Sequence, residues 1–268
     1  MSFKSNIRHL LILFYLFIGR NSKYGGKGKT RVLVFHHLDK PARFEKIITS
    51  LKKNYNFISF EDFISGNVCK DKINLLVAFD DGYKSWHVFG AQIFKKHKIQ
   101  PMLFVNSDFI GLICEDAYKY CQKHINTWRE ESLTWIQLQE LKKIGCTIGG
   151  HCLEHTDLTD FKLKQGDVGE LLQKDKKKIS EELDQDTNIF AYPYGRWNDS
   201  VVGEVSTTDY RYAFTSDSGY LDDSDSDLKL KRTNVGMRSS WIAHAYAAGC
   251  AERLTSDMAK LRAISSVF

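Results

Sequence analysis

Three groups of residues have types and spacings that could do chemistry. The first is Asp80-Asp81-Gly82, directly after the apolar run Leu75-Leu76-Val77-Ala78-Phe79. Carboxylates avoid burial unless they are paired or hold a metal, so two at a strand end can act as a proton acceptor or a cation ligand. Gly82 allows a sharp turn or the close approach of a ligand to the backbone. Asp-Gly is also a common turn dipeptide, and on these residues alone a surface turn explains the stretch equally well. The second group is His151-Cys152-Leu153-Glu154-His155. Histidines four apart face the same way on a helical turn. Two imidazoles and a carboxylate make a three-ligand site for a divalent metal, with a position left open for water. Zinc is the default for nitrogen-rich ligation, and cobalt, nickel or manganese are the alternatives. A lone pair of this spacing is more often two surface or capping histidines, and the Asp-Asp-Gly stretch reverses that weighting. The third group is His36-His37, directly after the strand expected at 31–35. An unperturbed pKa of about 6.5 suits histidine to donate a proton. Otherwise these histidines are hydrogen-bonded parts of a pocket wall.

The elements that must position these groups alternate along the chain. Strands are expected at 31–35, 55–59, 73–79, 101–105, 146–149, 188–192, 212–215 and 228–235. Helices are expected at 41–53, with Pro41 in the first turn, and at 60–64, 85–97, 167–183, 199–206 and 241–263. A further helix at 134–144 opens with a Thr134/Gln137 capping box and closes at Gly145. Residues 107–129 read as an insertion with some helix. The tandem order of strand and helix predicts an α/β fold with a parallel sheet, either open or closed into a barrel. In such folds sites form at the carboxyl ends of strands. His36, Asp80, Asp81 and His151 could therefore meet at one mouth.

Composition is that of a globular protein, 43% hydrophobic and 26% charged, with a net charge of +5 over 268 residues. No Pro/Ser-rich linker divides the chain. Residues 1–30 read as an apolar helix and a Gly/Lys-rich loop, and 31–268 as one catalytic domain. Lys174 and Lys176-Lys177-Lys178 form the densest basic run, a solvated helix face, so no nucleic-acid partner is expected. Six cysteines form no Cys-x-x-Cys pair, which predicts free thiols in a reducing compartment. Residues 10–18 are apolar and follow Lys4 and Arg8. They are too few to span a bilayer, which takes about 20, and no small-x-small cleavage site follows them. A segment lying on a membrane through residues 7–18, or capping the domain, is expected. That implies a cytoplasmic or inner-membrane-associated protein, with export on an uncleaved signal-like segment as the alternative. Gly28-Lys29-Thr30 is not a phosphate-binding loop, since Lys23 stands where the motif needs glycine. Asp223, Asp225 and Asp227 do not make a calcium loop, since Leu228 replaces the required glycine.

Together these residues resemble a known family. Phe79-Asp80-Asp81-Gly82, His151-x-x-x-His155 and Tyr192-Pro193-Tyr194-Gly195 are similar, in order and spacing, to the polysaccharide deacetylases (the NodB-homology domain, carbohydrate esterase family 4). Thr134-Trp135-x-Gln137-Leu138 and Val34-Phe35-His36 also match, and the resemblance covers about residues 31–235. It implies a distorted (β/α)7 barrel. It also implies Asp81, His151 and His155 as metal ligands, Asp80 as general base and the Tyr194 backbone N–H as an oxyanion donor. The implied reaction is removal of an N-acetyl group from an amino sugar of a surface polysaccharide, a lipopolysaccharide or a lipid-linked precursor. A deformylase or other amide hydrolase, and a non-catalytic glycan-binding barrel, are the alternatives.

The chain departs from the family pattern in places. The third motif commonly opens with an Arg that orients the base, and here that position is Ala191. Arg196 or Arg232 is the expected substitute. Phe190-Ala191-Tyr192-Pro193-Tyr194-Gly195 is itself a variant familiar from surface-glycan gene clusters. The fourth motif is barely visible around 215–219. The fifth, with its general-acid histidine, has no match, and His244 falls in a helical pattern that reads as structural. His36 and His37 are then rival proton donors, with His36 preferred. Substrate contacts are expected from Pro193, Tyr192, Arg196, Trp135 and His37. Among the aromatics near the motifs, Tyr83, Trp86 and Trp197 could also stack on a sugar ring.

Overall fold

Alternation within the strands decides the layering. Val32, Val34, Leu76, Ala78, Met102, Phe104, Ile189, Ala191 and Phe214 form one buried cluster, on the inside of a curled sheet. Their sequence neighbours Leu33, Phe35, Leu75, Val77, Phe79, Leu103 and Val105 form a second, larger cluster together with helix residues such as Phe44, Ile48, Phe94 and Leu138. The period of two sends alternate side chains to opposite faces, and both faces are covered, so the strands are apolar along most of their length. The computed structural model describes residues 26–125, 130–160, 162–163, 166–222 and 225–250. The apolar segment 7–18, Asp223 and the expected helix beyond residue 250 lie outside the described residues. No helix among the described residues is long and apolar enough to cross a membrane.

The elements run β1 (Thr30–Phe35), α1 (Pro41–Leu51), β2 (Asn56–Phe57), α2 (Phe60–Ile64) and β3 (Asn74–Asp81). A π-helical turn, Trp86–Gly90, leads into α3 (Ala91–His97). Next come β4 (Met102–Val105), α4 (Cys114–Tyr120), α5 (Trp135–Lys143), β5 (Thr147–Gly150), α6 (Asp167–Leu183) and β6 (Ile189–Ala191). The chain continues through α7 (Asp199–Ser206), β7 (Tyr212–Phe214), β8 (Thr233–Asn234) and α8 (Ser240–Ala247). Strand order is β7-β6-β5-β4-β3-β1-β8, with β2 paired to the start of β3, and every ladder is parallel. One segment nearly closes the curl: Leu230 bridges Phe214 of β7, and four residues on Asn234 pairs with Val34 of β1. This is the expected distorted (β/α)7 barrel.

Local signals set several boundaries. Ser59 and Thr134 close capping boxes with Asp62 and Gln137, each satisfying amide N–H groups that the helix start leaves over. Two expectations change. The stretch 228–235 is mostly irregular, with only Thr233–Asn234 in a strand, because it leaves β7 after one bridge to reach β1. Asp80 and Asp81 are not in a turn after β3. They are its last two residues, paired with Phe104 and Val105 of β4, so the bland surface-turn explanation fails.

Candidate metal centre

All strands point the same way, so their carboxyl ends share one rim, and the chemistry-bearing residues lie there. A cleft of about 420 Å³ is lined by His36, Asp80, Asp81, His151, His155 and Tyr194, with Val34, Ile125, Gly195, Ser216, Arg232 and Asn234 completing the wall. That volume falls within the range typical of small-ligand sites, about 300–1,000 Å³.

Asp81, His151 and His155 are all buried, and one ligand atom from each lies within 4.8 Å of the others. Asp81 Oδ1 is 3.7 Å from His151 Nε2 and 3.6 Å from His155 Nε2. The convergence is not that of a helical turn, as the four-residue spacing suggested. Residues 151–155 are a loop in which Cys152 (φ 69°) and His155 (φ 55°) take left-handed backbone. Asp81 also has positive φ, 92°, which turns its carboxylate away from the outward register it would share with Phe79. Such conformations cost non-glycine residues about 1–3 kcal/mol each, and here they accompany the convergence of the Asp81, His151 and His155 side chains.

The rings are held in one tautomer. His151 Nδ1 lies 2.7 Å from the Ala191 carbonyl and His155 Nδ1 lies 3.2 Å from the His124 carbonyl. Carbonyls only accept, so both Nδ1 atoms carry the proton and both Nε2 lone pairs face Asp81. Burial pushes the His151 pKa down to about 4, which leaves the imidazole neutral, the form able to ligate a metal. A buried carboxylate facing two imidazole lone pairs lacks a donor and fits a divalent cation.

Asp80 is the second carboxylate, 5% exposed. Its inner-face register aims it at Arg232, whose Nη1 donates to Oδ1 at 2.7 Å. Arg232 is 2% exposed; its Nε donates to the Thr215 carbonyl at 2.9 Å and its guanidinium lies over Phe104. Burial alone would raise the Asp80 pKa, but the Arg232 guanidinium brings it below the ordinary carboxylate value. Of the two arginines offered as substitutes for the missing one, Arg232 therefore meets Asp80. Arg196 pairs instead with Asp157, stacks near Tyr194 and does not line the cleft.

Tyr194 has φ 57° and is 44% exposed. Its ring meets His155 edge-on at 4.3 Å, and its hydroxyl donates to the His124 carbonyl at 2.8 Å. Gly195 follows at φ +66°, and a Cβ there would sit 2.0 Å from Ser216 Oγ. Gly195→Ala is therefore expected to cost at least about 1–3 kcal/mol in urea unfolding, and an alanine variant as stable as the parent would contradict this packing.

Other expected contacts fall elsewhere. Tyr192 is fully buried, and its hydroxyl donates to the Leu228 carbonyl. Pro193 is also buried. Trp135 opens α5 and packs against the larger core. His37 lies 3.5 Å from Asp39 and edge-on to Tyr83, away from the cleft wall. Tyr83 and Trp86 are core residues, and Trp86 Nε1 donates to the His36 carbonyl at 2.7 Å, which fixes that strand end. Trp197 donates to Asp217. His244 bonds Ser50 Oγ on α1, a structural role as expected. The sequence reading missed Ile125, Asn234 and the His124 carbonyl. The last is a backbone atom, which residue type does not signal.

A family model described as polysaccharide deacetylase matches residues 67–213. YxkH of Bacillus subtilis (strain 168), which bears a polysaccharide-deacetylase name, is 27% identical over 169 residues, 62% of this chain and 53% of that protein. The chain thus spans about half the length of the curated relative it matches. Among solved structures, IcaB from Ammonifex degensii superimposes with a TM-score of 0.67 at 21% identity, over 82% of this chain and 97% of that one. The Streptococcus pyogenes deacetylase PplD, solved with acetate, gives 0.64 at 20% identity, over 79% and 95%. At these identities the structural likeness is one of fold.

Proposed function

The chain belongs to the polysaccharide deacetylase family, and from that premise we propose that it is a metal-dependent hydrolase that removes the N-acetyl group from an amino sugar. The observation that carries the reading is the buried Asp81, His151 and His155 triad beside an Asp80 carboxylate paired with Arg232. When bound there, a divalent ion, zinc by ligand type, supplies Lewis-acid polarisation of the acetamide carbonyl.

The chain's own residues supply the remaining roles. Arg232 holds Asp80 Oδ1, so Oδ2 takes the proton of the water that attacks the acetyl carbon. The Tyr194 backbone N–H, aimed by its left-handed φ, serves as donor to the developing oxyanion. His36, on the cleft wall, gives a proton to the nitrogen as the C–N bond breaks, leaving acetate and a free amine. The substrate is a surface polysaccharide, a lipopolysaccharide or a lipid-linked precursor. The apolar residues 10–18 support presentation at a membrane surface, with the protein in the cytoplasm or associated with the inner membrane.

Metal analysis coupled to acetate release from a panel of N-acetylated glycans tests this reading. The expected result is about one divalent ion per chain, with acetate release abolished by chelation and restored by zinc. Metal-free protein that still releases acetate would overturn it, and release of formate in place of acetate would reassign the acyl group.

A further inference from the structure

The apolar stripe of α6 is interrupted by a charge. Val168, Leu172, Ile179 and Leu183 face the core at helical spacing, and Asp175 falls among them, fully buried. Its carboxylate accepts three hydrogen bonds from two loops. Ser107, just past β4, donates from its hydroxyl at 2.6 Å and its backbone N–H at 3.3 Å. Cys152, directly after His151, donates its backbone N–H to the other oxygen at 3.1 Å. Glycine at position 150 leaves the space for this arrangement: a Cβ there would meet Tyr210 Oη at 2.4 Å and Asp175 Oδ2 at 2.6 Å. A second tie reinforces the first. Asp108 N–H donates to the Leu153 carbonyl at 3.1 Å, and Lys178, one turn along α6, bonds the Asp108 carboxylate at 2.8 Å.

We propose that Asp175 is a positioning residue for the metal loop, clamping the backbone after His151 to the end of β4 so that the His151 and His155 rings stay aimed at Asp81. The proposal rests on the metal-centre reading above. Cys152 is the first left-handed residue of the loop, and its N–H has no helical or strand partner, so a buried acceptor at that point holds the turn open to the metal. Burial pushes the Asp175 carboxyl up to about 7 even against its three donors. An apolar side chain would fill the stripe at no such cost. Asp175→Leu, however, strands three buried donors, the Ser107 hydroxyl and N–H and the Cys152 N–H, so a loss of stability is expected whatever the role of the carboxylate. A merely structural Asp175 predicts wild-type zinc affinity in protein that is still fully folded, and the clamp predicts weaker binding there.

Wild-type protein, Asp175→Leu, Asp175→Asn and Ser107→Ala are compared by zinc competition against a chromophoric chelator, by the visible spectrum of the cobalt-loaded protein, and by thermal unfolding without metal. Asp175→Leu is expected to unfold below the wild-type temperature and, at a temperature where it is fully folded, to bind zinc about 10- to 100-fold more weakly, with an altered cobalt spectrum. Ser107→Ala, which keeps the carboxylate and loses one donor, shifts both metal readouts in the same direction by less. Wild-type zinc affinity and cobalt spectrum in the Asp175 and Ser107 variants would overturn the proposal, provided His155→Ala abolishes binding. Zinc binding unaffected by His155→Ala would overturn the metal-centre reading itself, and the clamp with it.

Discussion

Asp80→Asn is expected to lower kcat by about 100- to 10,000-fold, the usual contribution of a positioned general base, while the protein retains its metal. The substitution is isosteric. The amide oxygen can still accept from Arg232 Nη1 at the position now held at 2.7 Å, so the cleft keeps its shape. What is lost is the capacity to take a proton from the attacking water. The proposed metal ligands are a different set, Asp81, His151 and His155, and the two adjacent residues of β3 enter the cleft separately: Asp80 by its inward register and Asp81 by its positive φ. Metal content by atomic absorption alongside steady-state acetate release checks both halves of the expectation. An Asp80→Asn enzyme with near-normal turnover would remove Asp80 as the base.

Arg232→Leu is expected to cost about 3–5 kcal/mol of stability, the range for breaking a buried ion pair from one side. The loss comes chiefly from Asp80, a carboxylate left in a site that is 5% exposed with its principal counter-charge gone. The Thr215 carbonyl also loses its donor. Against a total folding stability of about 5–15 kcal/mol, the change is large enough to be unambiguous in urea titration. The double variant Asp80→Asn/Arg232→Leu separates the causes. With the stranded charge neutralised, it is expected to recover much of the loss. A single Arg232→Leu variant within about 1 kcal/mol of wild type would mean that the pair is solvated and that Arg232 does not hold the base. Turnover is expected to fall as well, because Arg232 stands where Ala191 leaves the family's usual arginine missing.

These two residues mark how far the sequence could be read. The strands and helices followed from local rules: apolar periods of two and 3.6, the Thr134/Gln137 cap, and Pro41 in a first turn. The Asp80-Asp81 and His151/His155 groups stood out by residue type. Arg232 was one of two candidates, because Ala191 removed the expected arginine and nothing local distinguishes Arg196 from Arg232. Their difference is tertiary. Arg196 meets Asp157 on the outer lip, whereas Arg232 enters the inside of the curl just before β8 pairs with β1. Tyr192, Trp135 and His37 were misplaced for a related reason. An aromatic or histidine next to a motif has a face as well as a position, and these side chains pack into the core or beside Asp39.

The sequence by itself determined the alternation of elements, the parallel sheet it requires, and the residue types able to ligate a cation and move a proton. Those depend on interactions within a few residues and on side-chain chemistry. The tertiary structure decided which groups meet. The curl of the sheet joins Arg232 to Asp80, the carbonyls of Ala191 and His124 set which ring nitrogen faces Asp81, and Asp175 takes a place in an apolar stripe to hold the loop behind His151. Each of these joins residues far apart in the chain, several through backbone atoms that every residue type shares, so no local pattern carries them.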